Sequence, residues 1–214
     1  AFFFGLVLQG YRFANALSET GGKTVLDIRT RLETRGETLY INGRKGYCTG
    51  SLYAHWIGIL ALDADDRAQL AFVPRDSAGL TVLDDWDCLG QRNTASGTVL
   101  AENLAVAPFH LFPTWKSYAT PTLAGPFAQL TTAAIDAGIA RAALNDTVTF
   151  VRQFARPWID AGVERASDDP LTIYHIGQID SRLAAAEALL EQAGEVLGRF
   201  KHDPSDEPVA QASI

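Results

Sequence analysis

The sequence predicts an α+β fold, a small β-domain built as a barrel or sandwich and followed by long helices, on three observations. Between Gly21 and Val106 the apolar residues fall in short runs divided by turn residues, the spacing of a barrel or sandwich rather than of βαβ units. From Pro126 onward the apolar period changes to the three-and-four spacing of helices. Hydrophobic residues make up 47% and charged residues 20% of the 214, enough apolar material for a real core.

Each element follows from its own pattern. Ala1–Ala16 is apolar and is expected to be helical, with Gly21-Gly22 as a breaker beyond it. Leu26, Ile28, Thr30 and Leu32 alternate with Asp27, Arg29 and Arg31, which predicts a half-buried strand. Leu39-Tyr40-Ile41 then meets Asn42-Gly43, a dipeptide suited to a type I′ turn, so a hairpin is expected there with Arg44–Thr49 as the return strand. Further strands are expected at Trp56–Leu62, Gln69–Val73, Leu80–Leu83 and Thr98–Val106.

In the helical half, Ala137, Ala140, Leu144, Val148, Val151 and Ala155 share one face, and Pro157 stops the run. A second helix starts where Asp169 can cap and Pro170 suits the first position. Its seam of Ile176, Ile179, Leu183, Ala186, Leu190, Ala193 and Leu197 suits either the bundle's own core or another subunit.

Composition removes several functions. A formal net charge of −7 leaves no electrostatic footprint for nucleic acid or an anionic membrane surface. Cys48 and Cys88 are too few for a disulfide framework and lack metal-ligand spacing, so no metal is expected. No apolar run reaches the ~20 residues of a membrane span. Ala1–Leu8 lacks the basic flank of a signal peptide, and a cytoplasmic setting is expected. The hydrophobic start at Ala1, the lack of Met, and the polar stretch Lys201–Pro208 before a new apolar run suggest an internal part of a longer protein.

No Ser-His-Asp order, P-loop, HExxH or GxGxxG motif occurs. What remains is a set of small polar residues beside aromatics in turns: Asn15 and Ser18, Tyr47-Cys48-Thr49, Trp86, and Thr94 with Ser96. A flavin ring calls for such a mixture, apolar packing on its face and neutral donors at its polar edge. Taken singly, Thr49 and Ser96 read more readily as turn hydroxyls bonding their own backbone, and Trp86 equally well as a core aromatic.

Three ordered motifs carry a family resemblance. Ala16-Leu17-Ser18-Glu19, the run Asn42–Thr49 and the turn Gly90–Ser96 resemble successive elements of the acyl-CoA dehydrogenase-type flavoproteins. Tyr47-Cys48, Asp84-Asp85-Trp86 and Ala155-Arg156-Pro157-Trp158 resemble the oxygen-using branch, which contains dibenzothiophene and sulfone monooxygenases.

The resemblance implies the family's fold, with 1–16 as the end of a largely missing N-terminal helical domain. A flavin-binding β-domain, an antiparallel β-barrel, would span 17–125, and the first helices of the C-terminal bundle 126–214. It implies a two-component monooxygenase that takes reduced FMN from a flavin reductase and uses O₂ on a small organosulfur compound, in a homotetramer. Asn15, Thr49 and Ser96 would be catalytic, Trp86 and Tyr47 would line the substrate pocket, and Ser18, Thr49, Thr94, Arg152 and Arg156 would bind cofactor. The alternatives are a dehydrogenase using FAD on an acyl thioester, and a non-catalytic truncated member. The catalytic His or Glu is expected in a part of the family's length that this chain lacks, so the fragment alone is not expected to turn over.

Overall fold

The computed structural model describes residues 2–117 and 121–200, so the expectation for Lys201–Pro208 lies outside the described residues. The chain divides into two compact units, residues 1–119 and 120–214. Helix α1 (Phe2–Leu8) precedes strands β1 (Phe13–Ala16), β2 (Arg31–Arg35), β3 (Thr38–Lys45), β4 (Trp56–Leu62), β5 (Ala68–Pro74), β6 (Leu80–Val82), β7 (Val99–Val106) and β8 (Leu111–Phe112). The short helix α2 (Thr114–Ser117) closes this part, and α3 (Ala124–Gln153) and α4 (Pro170–Phe200) form the other unit.

The strands form one mixed sheet in the order β6-β7-β3-β2-β4-β5-β8, with β1 added parallel to β4. Most pairings are antiparallel. The single contact of β2 with β4, Arg31 opposite Leu62, is parallel. Ile57, Ile59, Ala61, Ile41, Leu104 and Val99 alternate inward from three strands and make the core. Gly58 keeps β4 free of a side chain where the Phe72 ring crosses it; a Cβ there would lie 2.9 Å from that ring.

Three local expectations are corrected. The helix predicted over Ala1–Ala16 ends at Leu8, and Phe13–Ala16 is a strand because its backbone pairs with Trp56–Ile59. The strand expected from Leu26 begins only at Arg31. Upstream of it the backbone donors go to carboxylates: Thr24 N–H bonds Asp27, while Arg29 and Thr30 N–H bond Glu19. Val25 and Leu26 are left 93% and 81% exposed, so their alternation marks no buried face.

Asn42-Gly43, finally, is no turn. β3 runs through it, and the hairpin lies at Gly36-Glu37, between the paired Arg35 and Thr38. The dipeptide instead serves a register shift between β3 and β7, where Asn42 Oδ1 accepts the Asn103 N–H at 2.7 Å. Gly43 gives room to Thr30, whose Oγ1, Cβ and Cγ2 would all overlap an added Cβ.

In the helical unit, α3 and α4 are joined by Arg141, which is bidentate to Glu187 (2.9 and 2.7 Å) and bonds Asp180 at 2.9 Å. Helix α3 ends at Gln153, four residues before Pro157, so Ala155 lies beyond it. Of the predicted α4 seam, Leu183 and Leu197 are buried whereas Ile179 is exposed. Asp169 caps α4 by accepting the Thr172 N–H at 3.0 Å and the Leu171 N–H at 3.3 Å. Replacing it, Asp169→Ala, is expected to cost about 1 kcal/mol in chemical unfolding of the protein.

Candidate functional site

The three motif segments meet at the end of β3. Gly46 N–H bonds the Ser18 carbonyl at 2.9 Å, and Lys45 Nζ donates to the Leu17 carbonyl and to Glu19 Oε1 at 3.2 and 2.7 Å. Glu19 also accepts the hydroxyl and N–H of Thr30, at 2.7 and 3.0 Å. The side chains of Lys45 and Glu19 are 1% and 9% exposed, so this is a buried ion pair with its hydrogen bonds filled. Burial alone would raise the Glu19 carboxyl, but the bonds from Lys45 and Thr30 outweigh it and hold the group at about 2. Burial pushes the Lys45 ammonium down from its ordinary value, with Glu19 pulling the other way. Cys48 is pushed up to about 11 by burial, so its thiol stays protonated and is no nucleophile.

Beyond this anchor the chain turns sharply. Tyr47 adopts a left-handed conformation (φ 55°), after which Cys48 N–H bonds the Gly97 carbonyl and Gly50 N–H bonds the Thr94 carbonyl. The facing turn is bent at Gln91 and Ala95, both left-handed. It is closed by Asp85, which accepts the Thr98 N–H at 2.7 Å. Gly97 is required there: a Cβ would lie 2.5 Å from Asp85 Oδ1 and 2.8 Å from the Leu83 carbonyl.

The two turns bring five of the predicted residues into one wall. Thr49 Oγ1 is 2.9 Å from Ser96 Oγ, which is 2.7 Å from Thr94 Oγ1. Thr94 donates to the Gln91 carbonyl at 2.8 Å, and Trp86 Nε1 donates to the same oxygen at 2.9 Å. The Trp86 ring meets Tyr47 edge-on, with centroids 6.1 Å apart. Ser96 is buried, while Thr49 and Tyr47 are exposed.

The other predicted residues stand apart from this row. Asn15 lies on β1 opposite Gly58, exposed, next to Ala14, whose Cβ approaches the Gly50 position. Ser18 joins the anchor through its backbone carbonyl. Arg152 and Arg156 belong to the helical unit. Arg152 lines an open cavity of about 290 Å³ with Val148, Ile173 and Ile176. Neither arginine has an ion-pair partner among the described residues, unlike Arg141.

The sequence reading missed the pairing of Glu19 with Lys45. Its only trace was an acidic and a basic residue in two separate motif segments. Also missed was Ser51, whose buried hydroxyl has no hydrogen-bond partner among the described residues. The exposed Tyr47 and half-buried Trp86 beside a row of hydroxyls fit a planar heteroaromatic ring with a polar edge, and this set of side chains suits a flavin. No group of three or more His, Cys, Asp or Glu could hold a metal among the described residues.

Comparison with known proteins agrees in fold and order. Residues 14–104 match the acyl-CoA dehydrogenase middle domain, and residues 130–212 match the acyl-CoA dehydrogenase C-terminal domain. A dibenzothiophene monooxygenase of Rhodococcus erythropolis is 32% identical over 196 residues, 86% of this chain and 47% of that protein. The probable FMNH2-dependent monooxygenase SfnC of Pseudomonas putida is 27% identical over 80% of this chain and 45% of its own length. Among solved structures, FMN-bound TdsC from Paenibacillus sp. A11-2 superposes with a TM-score of 0.85 at 30% identity, covering 99% of this chain and 56% of TdsC. The chain thus spans about half the length of the curated relatives it matches.

Proposed function

The chain belongs to the acyl-CoA dehydrogenase family, and from that premise we propose that it forms part of an FMN-dependent, two-component monooxygenase acting on a small organosulfur compound. The observation that carries this reading is the single wall formed by Tyr47, Trp86, Thr49, Ser96 and Thr94. Its support comes from relatives that are named for FMN and for dibenzothiophene. Reduced FMN, delivered by a separate reductase, supplies the electrons by which one oxygen atom of O₂ enters the substrate and the other leaves as water.

The residues of this chain bind and orient. Thr49, Ser96 and Asn15 are assigned to hydrogen bonds at the polar edge of the ring, with Ser18 and Thr94 supporting them. Tyr47 and Trp86 cover the substrate side and keep water away, which strengthens the polar contacts behind them. Arg152 and Arg156 are the candidates for the phosphate, since a guanidinium meets phosphate through paired hydrogen bonds. Exposed Phe127, Ile135, Ile139 and Phe150 on α3 favour burial against further copies, and a homotetramer is proposed. No helix among the described residues is long and apolar enough to cross a membrane, and both cysteines are free; we place the protein in the cytoplasm.

The test supplies the purified full-length protein, rather than this chain alone, with FMN, a flavin reductase, NADH and a panel of organic sulfides and sulfones under isotopically labelled O₂. Label in the product is expected. Absence of oxygenated product across the panel overturns the proposal, and anaerobic bleaching of bound flavin by an acyl-CoA would establish the dehydrogenase reading instead.

A further inference from the structure

One backbone oxygen holds both halves of the wall. The Gln91 carbonyl accepts the Trp86 indole N–H at 2.9 Å, the Thr94 hydroxyl at 2.8 Å and the Thr94 N–H at 3.2 Å. Trp86 carries the constraint to Tyr47 on the aromatic side. Thr94 carries it to Ser96, and through Ser96 to Thr49. The Gln91 side chain is exposed and makes no hydrogen bond among the described residues. Its backbone is the unusual part. Gln91 is left-handed (φ 55°, ψ 31°) and opens the 3-10 turn Arg92–Thr94, which closes on Ala95, left-handed as well. A side chain with a Cβ is held in that conformation at a cost, and the three bonds to the carbonyl offset it. Arg92 braces the same segment from outside: its Nε donates to the Cys88 carbonyl at 2.9 Å and its Nη2 to Asp87 Oδ1 at 2.7 Å. Residues 86–92 therefore close on themselves, with the Trp86 indole bonded across the loop to Gln91.

We infer that Gln91 is a positioning residue of this wall and acts through its backbone carbonyl, which sets the angle of the Trp86 ring and the place of Thr94 together. Its bearing on turnover rests on the monooxygenase reading above; the bond to Trp86 stands apart from it. A carbonyl suits the task. It accepts only, and its direction is fixed by φ and ψ rather than by a side-chain rotamer. The side chain at position 91 then matters only through the backbone conformation it permits. Glycine enters the left-handed region freely, whereas a β-branched residue is a genuine outlier there. Gln91→Gly should therefore leave the wall intact although it deletes the whole side chain, and Gln91→Val should disturb both halves at once.

Ultraviolet resonance Raman spectra of the purified full-length protein supply a readout that does not depend on turnover. The indole N–H band of Trp86 is isolated by subtracting the spectrum of Trp86→Phe. In Gln91→Gly the band is expected to stay at its wild-type position, and in Gln91→Val to move toward that of an indole without its acceptor. Oxygenation of an organic sulfide, measured on the same proteins, should keep the wild-type kcat/KM in Gln91→Gly. It should fall by about tenfold to a hundredfold in Gln91→Val, the scale of a small misplacement of positioning groups. Arg92→Ala removes the outer brace at an exposed residue and should move the band in the same direction. It serves as the second variant if Gln91→Val does not fold. A Gln91→Gly protein that loses as much as Gln91→Val would place the role in the side chain and overturn the inference. So would a Trp86 band unchanged in folded Gln91→Val or Arg92→Ala. A wild type that oxygenates no sulfide or sulfone overturns the monooxygenase reading, and the Raman comparison then decides the role of Gln91 by itself.

Discussion

Lys45→Met lowers the unfolding free energy by about 3–5 kcal/mol, because it strands the buried Glu19 carboxylate without its cation. Lys45 and Glu19 are nearly inaccessible, and they tie the Leu17–Glu19 segment to the end of β3. Urea unfolding of the single variants and of the Glu19→Gln/Lys45→Met pair measures the effect. The double variant should regain most of the loss, since no unpaired charge remains. If Lys45→Met unfolds like the wild type, the pair contributes nothing and the anchor is misread.

Acid gives an independent check on the same pair. The Glu19 carboxyl is held at about 2 in the folded protein against 4.5 for the ordinary group. A carboxyl with a depressed folded pKa binds its proton more readily when unfolded. Its contribution is therefore complete above about pH 4.5 and is lost as pH falls toward about 2. For a shift of this size the contribution is on the order of 3 kcal/mol. In Lys45→Met burial acts on Glu19 without its main counterweight, so the stability gap between variant and wild type should narrow as pH falls through the carboxyl range. A gap that widens on acidification would contradict the assignment.

The second large effect is at Gly43. Gly43→Ala places a methyl group into Thr30, and Thr30 holds Glu19 through both its hydroxyl and its N–H. Relief requires Thr30 to move, and moving it weakens the ion-pair network. The expected loss is about 2–4 kcal/mol, overpacking strain together with a weakened charge-assisted bond. Thr30→Ala in the same chain should recover little, because the Cβ of residue 30 still collides. Full recovery in that double variant, read by urea unfolding, would show that only the Thr30 hydroxyl and methyl were in the way.

Asn42-Gly43 illustrates what local sequence conceals. The dipeptide favours positive φ in isolation, so a turn was the reasonable expectation. In the folded chain β7 lies alongside, Asn103 needs an acceptor, and Thr30 needs space. Those three demands come from residues distant in sequence, and they turn the same dipeptide into an irregularity within a strand. The alternation at Leu26–Leu32 failed for a related reason: Glu19 takes the N–H groups of Arg29 and Thr30, and those of Leu26, Asp27 and Ile28 close local turns on Thr24 and Leu26.

Elements with a strong period of their own were legible. Trp56–Leu62 has the bounds expected of it, and the start of α4 is set by Asp169 and Pro170, whose capping and φ preferences are local properties. The wall residues Tyr47, Thr49, Trp86, Thr94 and Ser96 could be named because they sit in ordered motifs that also carry the family. Which of them touch, and with what polarity, depended on the tertiary structure. The left-handed turns at Tyr47, Gln91 and Ala95 bring two segments almost fifty residues apart into hydrogen-bonding distance. A hydroxyl carries one hydrogen and two lone pairs, and sequence leaves it free to use either. Only the fixed acceptor at the Gln91 carbonyl, which takes the Thr94 hydrogen, orders the row.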